Sequence, residues 1–489
     1  MTFASIEFLL FFVMVLLMMV LIQHFGRGRK YTQTLCHTVL LIASYIFYGW
    51  WNVKLCTLLC GVTMIAFFSA RKKDEAHLRM SRLYLLLGVA APLTVLGIFK
   101  YFDFFVESFC EMLRIESAVS LKLILPVGIS FYTFQALSYT IDVYNGRIEK
   151  EESFLRFALY ISFFPQLVAG PIVKASEFLP QLMEDRRVTL RRLEGGVQIF
   201  VFGLFKKIVL ADNLSVFVDE VYRMPQIFHS GTVLLAVISY AIQIYLDFSG
   251  YSDMAIGCAK CLGYDLNKNF NLPYISQNIS EFWKRWHISL STWLQQYLYI
   301  PLGGNRKGRL RTYLNLFLTM LLGGLWHGAD WTFVLWGGLH GLALCIHKWY
   351  AKNMGSGKDG AKNPAVRMTN ILLTNILVCF LWIFFRASDL NQAMQVIHRL
   401  LGWHDGIVHI YSWSVAAIVI VAAATVMAYI HSRKAIRETD DTEYGKRVNG
   451  YYPIRNLTQY GSLVLFFVEI GLILGLAYVK GSPFIYFQF

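Results

Sequence analysis

The sequence predicts an all-α, polytopic membrane protein with about 11–14 transmembrane or re-entrant helices. Of its 489 residues, 56% are hydrophobic and only 16% are charged, whereas a soluble domain typically carries about 25% charged residues. The apolar residues also fall in long uncharged runs, and a helix needs about 20 mostly apolar residues to cross a bilayer. Both observations indicate that lipid surrounds most of the chain.

The candidate membrane segments follow from these runs, taken in chain order. The long runs are Leu35–Val53, Leu83–Phe99, Leu123–Ile141, Phe157–Val173, Met368–Phe385 and Ile407–Ile430. Shorter or interrupted runs are Phe8–Gln23, Leu55–Ala70, Val197–Leu210, Val233–Leu246, Thr312–Trp326, Trp331–Ile346 and Leu457–Val479. We interpret 1–489 as a single integral membrane domain, with N-terminal helices over 1–150, a motif-bearing core over 151–350 and C-terminal helices over 351–489.

The basic residues indicate how the chain is oriented. The net charge is +14, and many bases cluster between apolar runs, where the positive-inside rule places loops in the cytoplasm. The clusters are Arg27, Arg29 and Lys30; Arg71, Lys72 and Lys73; Arg306, Lys307, Arg309 and Arg311; and Lys348, Lys352, Lys358 and Lys362. Nucleic-acid binding is not expected, because no basic stripe is interleaved with exposed aromatic residues.

The eight cysteines do not predict a metal centre. Most lie inside apolar runs, where cysteine behaves as a small hydrophobic residue. Cys258 and Cys261 form a lone C-x-x-C pair, whereas a structural zinc site needs four ligands. We therefore predict no metal site and no tightly bound cofactor.

The functional region is predicted between about Phe157 and His347, which is rich in Gly, Trp, His, Asn and Arg within apolar surroundings. Polar residues at membrane depth persist when they line a cavity, pair with each other or carry out chemistry. In Phe164–Pro171, two prolines and a glycine interrupt an apolar run. This pattern predicts either a broken helix or re-entrant turn beside a cavity, or a simple kink.

A second segment, from Asp247 to Asn305, includes Phe282–Leu294 with the sequence FWKRWHISLSTWL. Its tryptophans recur at helical spacing, with Lys284, Arg285 and His287 between them. One interpretation is an interfacial amphipathic helix, with tryptophan at the headgroups and bases on lipid phosphates. This interpretation accounts for Lys284 and Arg285 better than for His287, which adds little anchoring when it is neutral.

A third segment, Gly323–Trp331, places His327 among small residues. A helix rising about 1.5 Å per residue from Arg311 carries His327 roughly 24 Å into a hydrocarbon core of about 30 Å. His327 is then either a catalytic residue or a hydrogen-bonded packing residue. His340, which follows in the next apolar run, is interpreted as structural.

A buried histidine suits acyl transfer for a physical reason. Its unperturbed pKa of about 6.5 lets it accept a hydroxyl proton near neutral pH, and desolvation favours the neutral form that acts as a base. A hydroxyl polarised in this way can attack a thioester carbonyl. A second polar group such as His287 could orient the hydroxyl or stabilise the oxyanion.

These segments resemble the bacterial branch of the membrane-bound O-acyltransferase (MBOAT) family, and in particular its members that O-acetylate exopolysaccharides such as alginate. The matching stretches are Phe164–Pro171, Asp247–Gly257, Trp283–Gly304, Leu325–Gly341 and the ending Pro483–Phe489. The resemblance implies a ring-like helical fold around a central tunnel in the bacterial cytoplasmic (inner) membrane. It also implies a cytoplasmic acyl thioester donor (acetyl-CoA or an acyl carrier) as co-substrate, and an acceptor on the outer side.

The resemblance places the family's catalytic histidine on His327 and its second histidine on His287. We further expect Trp326, Trp286 and Asn305 to shape the tunnel, and Lys284, Arg285 and Arg306 to attract the donor's phosphate. An extracytoplasmic SGNH-hydrolase-like acetyltransferase and a polysaccharide synthase complex are the partners that the resemblance implies. A sister group that transfers D-alanine toward teichoic acids shares both histidines, so D-alanyl transfer stays open, as does a non-enzymatic transporter or scaffold.

Overall fold

The structure, a computed structural model, describes residues 1–26, 29, 31–71, 78–115, 120–168, 170–353, 363–423, 460–478 and 484–485. Within these residues the regular structure is helical, apart from one isolated bridge between Phe228 and Ile407. Four of the described helices are long and apolar enough to cross a membrane, namely Ile6–Phe25, Arg79–Leu113, Ser230–Cys261 and Pro364–Arg386. The prediction of an all-α polytopic membrane protein is confirmed.

The α-helices are, in chain order, α1 Ile6–Phe25, α2 Thr32–Gly49, α3 Leu55–Arg71, α4 Leu78–Leu96, α5 Phe102–Leu113, α6 Ile129–Tyr144, α7 Phe154–Ser162, α8 Phe164–Leu167, α9 Ala175–Met183, α10 Leu190–Leu204, α11 Asp212–Arg223, α12 Ser230–Cys261, α13 Ile279–Arg285, α14 Ile288–Leu294, α15 Arg309–His327, α16 Trp331–Asn353, α17 Pro364–Arg386, α18 Leu390–Gly402, α19 Ser412–Ala423 and α20 Tyr460–Leu476. Wider π-helical turns cover Gly97–Tyr101, Phe205–Ala211 and Gln295–Tyr299. Single 3₁₀ turns cover Pro225–Ile227 and Pro273–Ile275.

Most of the predicted apolar runs form helices, including α2, α6, α15 and α16. These four are shorter or less apolar than the four long spans, so their crossing of the bilayer stays a prediction. Some predictions fall outside the described residues: Arg27, Lys30, Lys72, Lys73, Ala169, Lys358, Lys362, the run end 424–430, residues 457–459 and 479 of the last run, and residues 483 and 486–489 of the C-terminal motif.

The chain divides into two compact units, and one of them comprises Met1–Val201 with Tyr251–Leu266. Its core is rich in phenylalanine: the ring of Phe164 lies 5.4 Å from Phe11 and 5.7 Å from Phe47, between ring centroids. Helices α3, α4 and α6 approach closely at Gly88, where an added Cβ would lie 2.8 Å from Ser69 and from Thr140. Small residues at such crossings let membrane helices pack without a large apolar side chain between them.

The break predicted at Phe164–Pro171 is present in this unit. Helix α7 ends at Ser162, Phe163 adopts an extended ψ of 108°, and α8 forms a single turn. The broken backbone finds side-chain partners, because the Gln166 amide donates to the Tyr160 carbonyl at 2.6 Å and Phe164 N–H donates to Ser44 Oγ at 3.1 Å. A membrane helix can be interrupted at low cost when its freed backbone groups are satisfied in this way.

The other unit comprises Phe202–Gly250 and Asn267–Phe489. Large aromatic side chains fill its core: Trp286, Trp336 and Trp382 are essentially inaccessible to solvent. Trp336 and Trp382 stack with centroids 5.6 Å apart and an interplanar angle of 21°. Every residue that the sequence singled out as catalytic or donor-binding belongs to this unit.

Candidate active site

His327 is the last residue of α15. The helix ends because Gly328 leaves the helical region, with φ −152° and ψ 149°. Gly328 also allows a close approach, since an added Cβ would lie 2.2 Å from the Phe333 ring. The side chain of His327 is 3% exposed, so it lies at a tight turn that buries it between α15 and α16.

Helices α15 and α16 are in backbone contact just before this turn. An added Cβ on Gly324 would lie 2.3 Å from the Phe333 carbonyl oxygen, and one on Gly337 would lie 2.4 Å from that of Met320. Real Cβ atoms do not approach so closely, so both positions require glycine. This contact fixes where the end of α15 places His327.

His287 occupies an unusual backbone position between α13 and α14. Its φ of 43° and ψ of 56° lie in the left-handed region, which costs free energy for a residue other than glycine. The predicted continuous helix through Trp283 and Trp293 is therefore two short helices with His287 at the break. The tryptophans are buried in the core, so the interfacial-anchor interpretation is wrong for them.

The break is held in place by a neighbouring segment of the chain. Ile288 N–H donates to the Asn269 carbonyl oxygen at 2.9 Å, and Asn271 N–H donates to that of Arg285, also at 2.9 Å. These bonds on either side of His287 fix the backbone that turns its side chain into the core. His287 is completely buried.

The fold brings the two histidines together. Their ring centroids lie 6.2 Å apart, and Trp326 contacts both rings, at 6.1 Å from His287 and 5.0 Å from His327. Further ring neighbours are aromatic: Phe248 at 4.7 Å from His287, and Trp336 and Phe385 at 5.1 and 5.3 Å from His327. The result is a buried imidazole pair in a low-polarity aromatic environment.

Asn269 links the histidine pair to the backbone. Its Oδ1 atom lies 3.1 Å from Nδ1 of His287 and accepts from Ser289 Oγ at 2.9 Å and Ser289 N–H at 3.2 Å. All three residues are buried. Sequence reasoning did not identify Asn269 or Ser289, because their role depends on a contact across eighteen positions of sequence.

Trp286, Lys284 and Arg285, which the sequence predicted as site residues, differ in their surroundings. Trp286 is in the aromatic core, with centroids 4.9 Å from Trp382. Lys284 is exposed, whereas Arg285 is partly buried and pairs with Glu281 at 2.9 Å. The interfacial interpretation therefore fits Lys284 but gives no account of the Arg285 ion pair.

Asn305 and Arg306 lie in the basic loop that precedes α15, and both are exposed. Asn305 Oδ1 accepts from Lys348 Nζ at 2.8 Å, which ties this loop to the end of α16. The nineteen residues of α15 separate the loop from His327, a distance of about 27 Å at 1.5 Å per residue. Asn305 and Arg306 therefore lie at the opposite end of α15 from His327.

A buried ion-pair cluster supports the other side of the site. Lys207 Nζ lies 2.7 Å from Asp212 and 2.5 Å from Asp247, and all three side chains are buried. The second oxygen of Asp247 accepts from Ile485 N–H at 2.9 Å. The ring of Phe484 lies 5.8 Å from Phe248, so the cluster connects the end of the chain to the residue that packs on His287.

Together, the fold and the site define a multi-pass membrane protein with a buried histidine pair. The chain belongs to the MBOAT, or membrane-bound O-acyltransferase, family, whose model matches residues 2–385, and it is an acyltransferase. This membership does not support the non-enzymatic transporter or scaffold.

Three relatives illustrate the similarity. The chain is 38% identical to the probable alginate O-acetylase AlgI of Pseudomonas putida, over 100% of both chains. It is 40% identical to the peptidoglycan O-acetyltransferase of Helicobacter pylori, over 74% of this chain and 73% of the relative. It is 26% identical to the teichoic acid D-alanyltransferase of Bacillus subtilis, over 54% of this chain and 70% of the relative.

Proposed function

We propose that this acyltransferase moves an acetyl group from a cytoplasmic thioester donor across the bacterial cytoplasmic membrane for O-acetylation of an extracytoplasmic polysaccharide. The observation that carries the proposal is the buried pair of His287 and His327, with ring centroids 6.2 Å apart. The names of the two relatives with at least 38% identity, which both describe O-acetylation of a polysaccharide, support the choice of acetyl group and acceptor class.

His327 acts as the general base. It takes the proton of an acceptor hydroxyl as the hydroxyl oxygen attacks the thioester carbonyl, and a tetrahedral oxyanion forms. The intermediate then collapses: the new C–O ester bond remains, the C–S bond breaks, and the departing thiolate takes up the proton from His327. Such base catalysis typically contributes about 10²–10⁴-fold to the rate.

The aromatic surroundings of the pair favour this chemistry. Trp326, Trp336 and Phe385 pack around His327 and restrict the access of water. Exclusion of water favours a neutral imidazole as base and limits hydrolysis of the thioester. The tunnel roles of Trp326, Trp286 and Asn305 remain part of the proposal.

The donor docks at the cytoplasmic end of α15. Arg306, Lys307, Arg309 and Arg311 are exposed there, and the partly buried Lys348 lies beside them, bonded to Asn305. Clustered cations attract the phosphates of coenzyme A or phosphopantetheine, or an acidic carrier protein. Lys284, which is also exposed, and Arg285 are further candidates for this contact.

The immediate acceptor is a hydroxyl presented on the outer side, by an SGNH-hydrolase-like acetyltransferase partner or by the sugar itself. A polysaccharide synthase complex would supply the polymer. D-alanyl transfer toward teichoic acids is the second candidate, because the relative from Bacillus subtilis carries that name. The lower identity and partial coverage of that relative favour transfer of an acetyl group over transfer of D-alanine.

The two candidate functions predict different esters on the polymers of the cell. Secreted and wall-associated polymers from cells with and without the gene are saponified, and acetate and D-alanine are quantified. The proposal predicts a gene-dependent loss of acetate alone. A loss of D-alanine with unchanged acetate would contradict it and support the second candidate.

A further inference from the structure

The role of His287 in the proposed reaction depends on which of its ring nitrogens carries the proton. A neutral imidazole has one N–H donor and one acceptor nitrogen, so a histidine can assist acyl transfer in two ways. It can accept a hydrogen bond from the attacking hydroxyl, or it can donate one to the oxyanion. The surroundings of Asn269 distinguish the two.

The orientation of the Asn269 amide is fixed by Ser289. The backbone N–H of Ser289 can only donate, and it lies 3.2 Å from the amide atom that faces His287. That atom must therefore be the acceptor oxygen, and the Ser289 hydroxyl donates to it as well, at 2.9 Å. If the amide were flipped, its Nδ2 group would face the backbone N–H of Ser289, and two donors cannot form a hydrogen bond with each other.

The amide in turn fixes the imidazole. Because Oδ1 of Asn269 can only accept, the Nδ1 atom of His287 at 3.1 Å must carry the proton and donate. The Nε2 atom of neutral His287 is then the acceptor. Partners that hold one nitrogen of a histidine commonly set its tautomer and orientation in this way.

We infer that Asn269 is a positioning residue, which holds His287 in the Nδ1–H tautomer so that Nε2 accepts a hydrogen bond from the acyl-accepting hydroxyl. This inference rests on the proposed function. Each hydrogen bond to an oxygen spans about 2.7–3.2 Å, so two rings with centroids 6.2 Å apart can reach the same hydroxyl. The hydroxyl has a single proton, so Nε2 of His287 and the acceptor nitrogen of His327 share it in a three-centre hydrogen bond. This arrangement keeps the oxygen lone pairs directed towards the thioester, and the proton moves to His327 as the C–O bond forms.

The left-handed backbone at His287 belongs to the same arrangement. The Asn269 carbonyl oxygen accepts from Ile288 N–H at 2.9 Å, so one asparagine holds the strained backbone through its main chain and the imidazole through its side chain. Backbone strain of this kind persists where the surrounding structure fixes it, and it clusters at functional sites. A packing histidine would need neither the strain nor the tautomer.

The test compares two replacements of Asn269 in inverted membrane vesicles supplied with radiolabelled acetyl-CoA, with polymer-bound label as the readout. Asn269→Leu removes the acceptor and should lower kcat by about 10–100-fold, with KM for acetyl-CoA unchanged. Asn269→Asp keeps an acceptor for both Ser289 donors but adds a negative charge beside Nδ1. Since that charge stabilises the imidazolium, the acid limb of the pH–rate profile should move to higher pH by about one unit.

The ring neighbours of His287 bear on this shift. Among the rings that pack against His287, His327 titrates, whereas Phe248 and Trp326 do not. Ser289→Ala is the matched control, because the Ser289 backbone N–H still orients the amide. It should lower kcat by less than about five-fold, without moving the acid limb.

Equal losses in Asn269→Leu and Asn269→Asp, with an unmoved acid limb, would overturn the positioning role. If Asn269→Leu fails to accumulate in the membrane, the pH–rate profiles of Asn269→Asp and Ser289→Ala still test the positioning role, because only Asn269→Asp should move the acid limb. His327→Ala in the same vesicles keeps the two proposals apart. Label transfer by that variant would overturn the proposed function, whereas an inactive His327→Ala with an unmoved acid limb in Asn269→Asp overturns the inference alone.

Discussion

The ammonium group of Lys207 lies 2.5 Å from a carboxylate oxygen of Asp247, and both side chains are buried. Asp212 contributes a second carboxylate at 2.7 Å. The lysine and the two aspartates interact with one another in place of the water that each charged group lost on burial. The cluster therefore holds the π-helical turn Phe205–Ala211 against α12, next to the residue that packs on His287.

Replacing Lys207 by methionine should destabilise the protein strongly. The change leaves two buried carboxylates facing each other, and removing one partner of a buried ion pair costs about 3–5 kcal/mol. We expect the apparent melting temperature in detergent, followed by fluorescence-detected gel filtration, to fall by several degrees. Lys150→Met is the matched control: its ammonium lies 3.8 Å from the exposed Glu152 carboxylate, and an exposed ion pair contributes only about 0–1 kcal/mol, so its loss should be clearly smaller. Equal melting temperatures for the two variants would contradict this account.

The contact between α15 and α16 gives a prediction at adjacent positions. Gly337→Ala places a Cβ 2.4 Å from the Met320 carbonyl oxygen, whereas Gly338→Ala places one 3.4 Å from Leu321 Cδ1. The first change must push the helices apart and displace His327, while the second fits as an ordinary contact. We expect Gly337→Ala to lower acetyl transfer by on the order of 10–100-fold at equal membrane level, since small displacements of catalytic groups are costly. Gly338→Ala should stay within about two-fold of the native rate.

If both alanine variants retain full activity, the backbone contact does not determine where His327 lies. Comparable losses in both would instead indicate that α16 tolerates no added methyl group. Either result would remove the argument that Gly337 has a specific role.

The exposed basic loop predicts a charge-dependent KM for the donor. The combined change of Arg306, Arg309 and Arg311 to glutamate should raise KM for acetyl-CoA at least about ten-fold and leave kcat little changed, because the loop lies a helix length from the histidines. The effect should shrink at high salt, where exposed charges are screened. Lysine at the same three positions is the control and should preserve KM. A KM that is insensitive to charge reversal would contradict docking at this loop.

The sequence predicted the parts of the fold that depend on local pattern. The long uncharged run Met368–Phe385 corresponds to α17, and the shorter run Val233–Leu246 lies within α12. The run ending at Trp326 becomes α15, with His327 at its end. Pro165 and Gly170 correctly marked the interruption after α7. Helix formation, and its interruption by glycine or proline, depend on residues that are close in sequence, so a single segment is enough to predict them.

The arrangement of the site depends on contacts between distant segments, which one sequence does not display. The tryptophan spacing around His287 suggests one continuous helix, and the break follows from backbone bonds to Asn269 and Asn271. Lys207 lies in the short apolar run Val197–Leu210, and the sequence does not show that Asp212 and Asp247 pair with it. Asn269 lies within the segment from Asp247 to Asn305 that the sequence singled out, but only the position of Ser289 reveals its role.

The most direct test of the account measures O-acetyl esters on the extracellular polymer of cells that carry wild type or His327→Ala, with membrane levels of the two proteins matched by immunoblot. His398→Ala, at an exposed position on α18, is the control for a histidine outside the site. The account predicts that His327→Ala loses polymer acetylation while His398→Ala retains it. Unchanged acetylation in His327→Ala, at equal protein level, would contradict the assignment of His327 as the base.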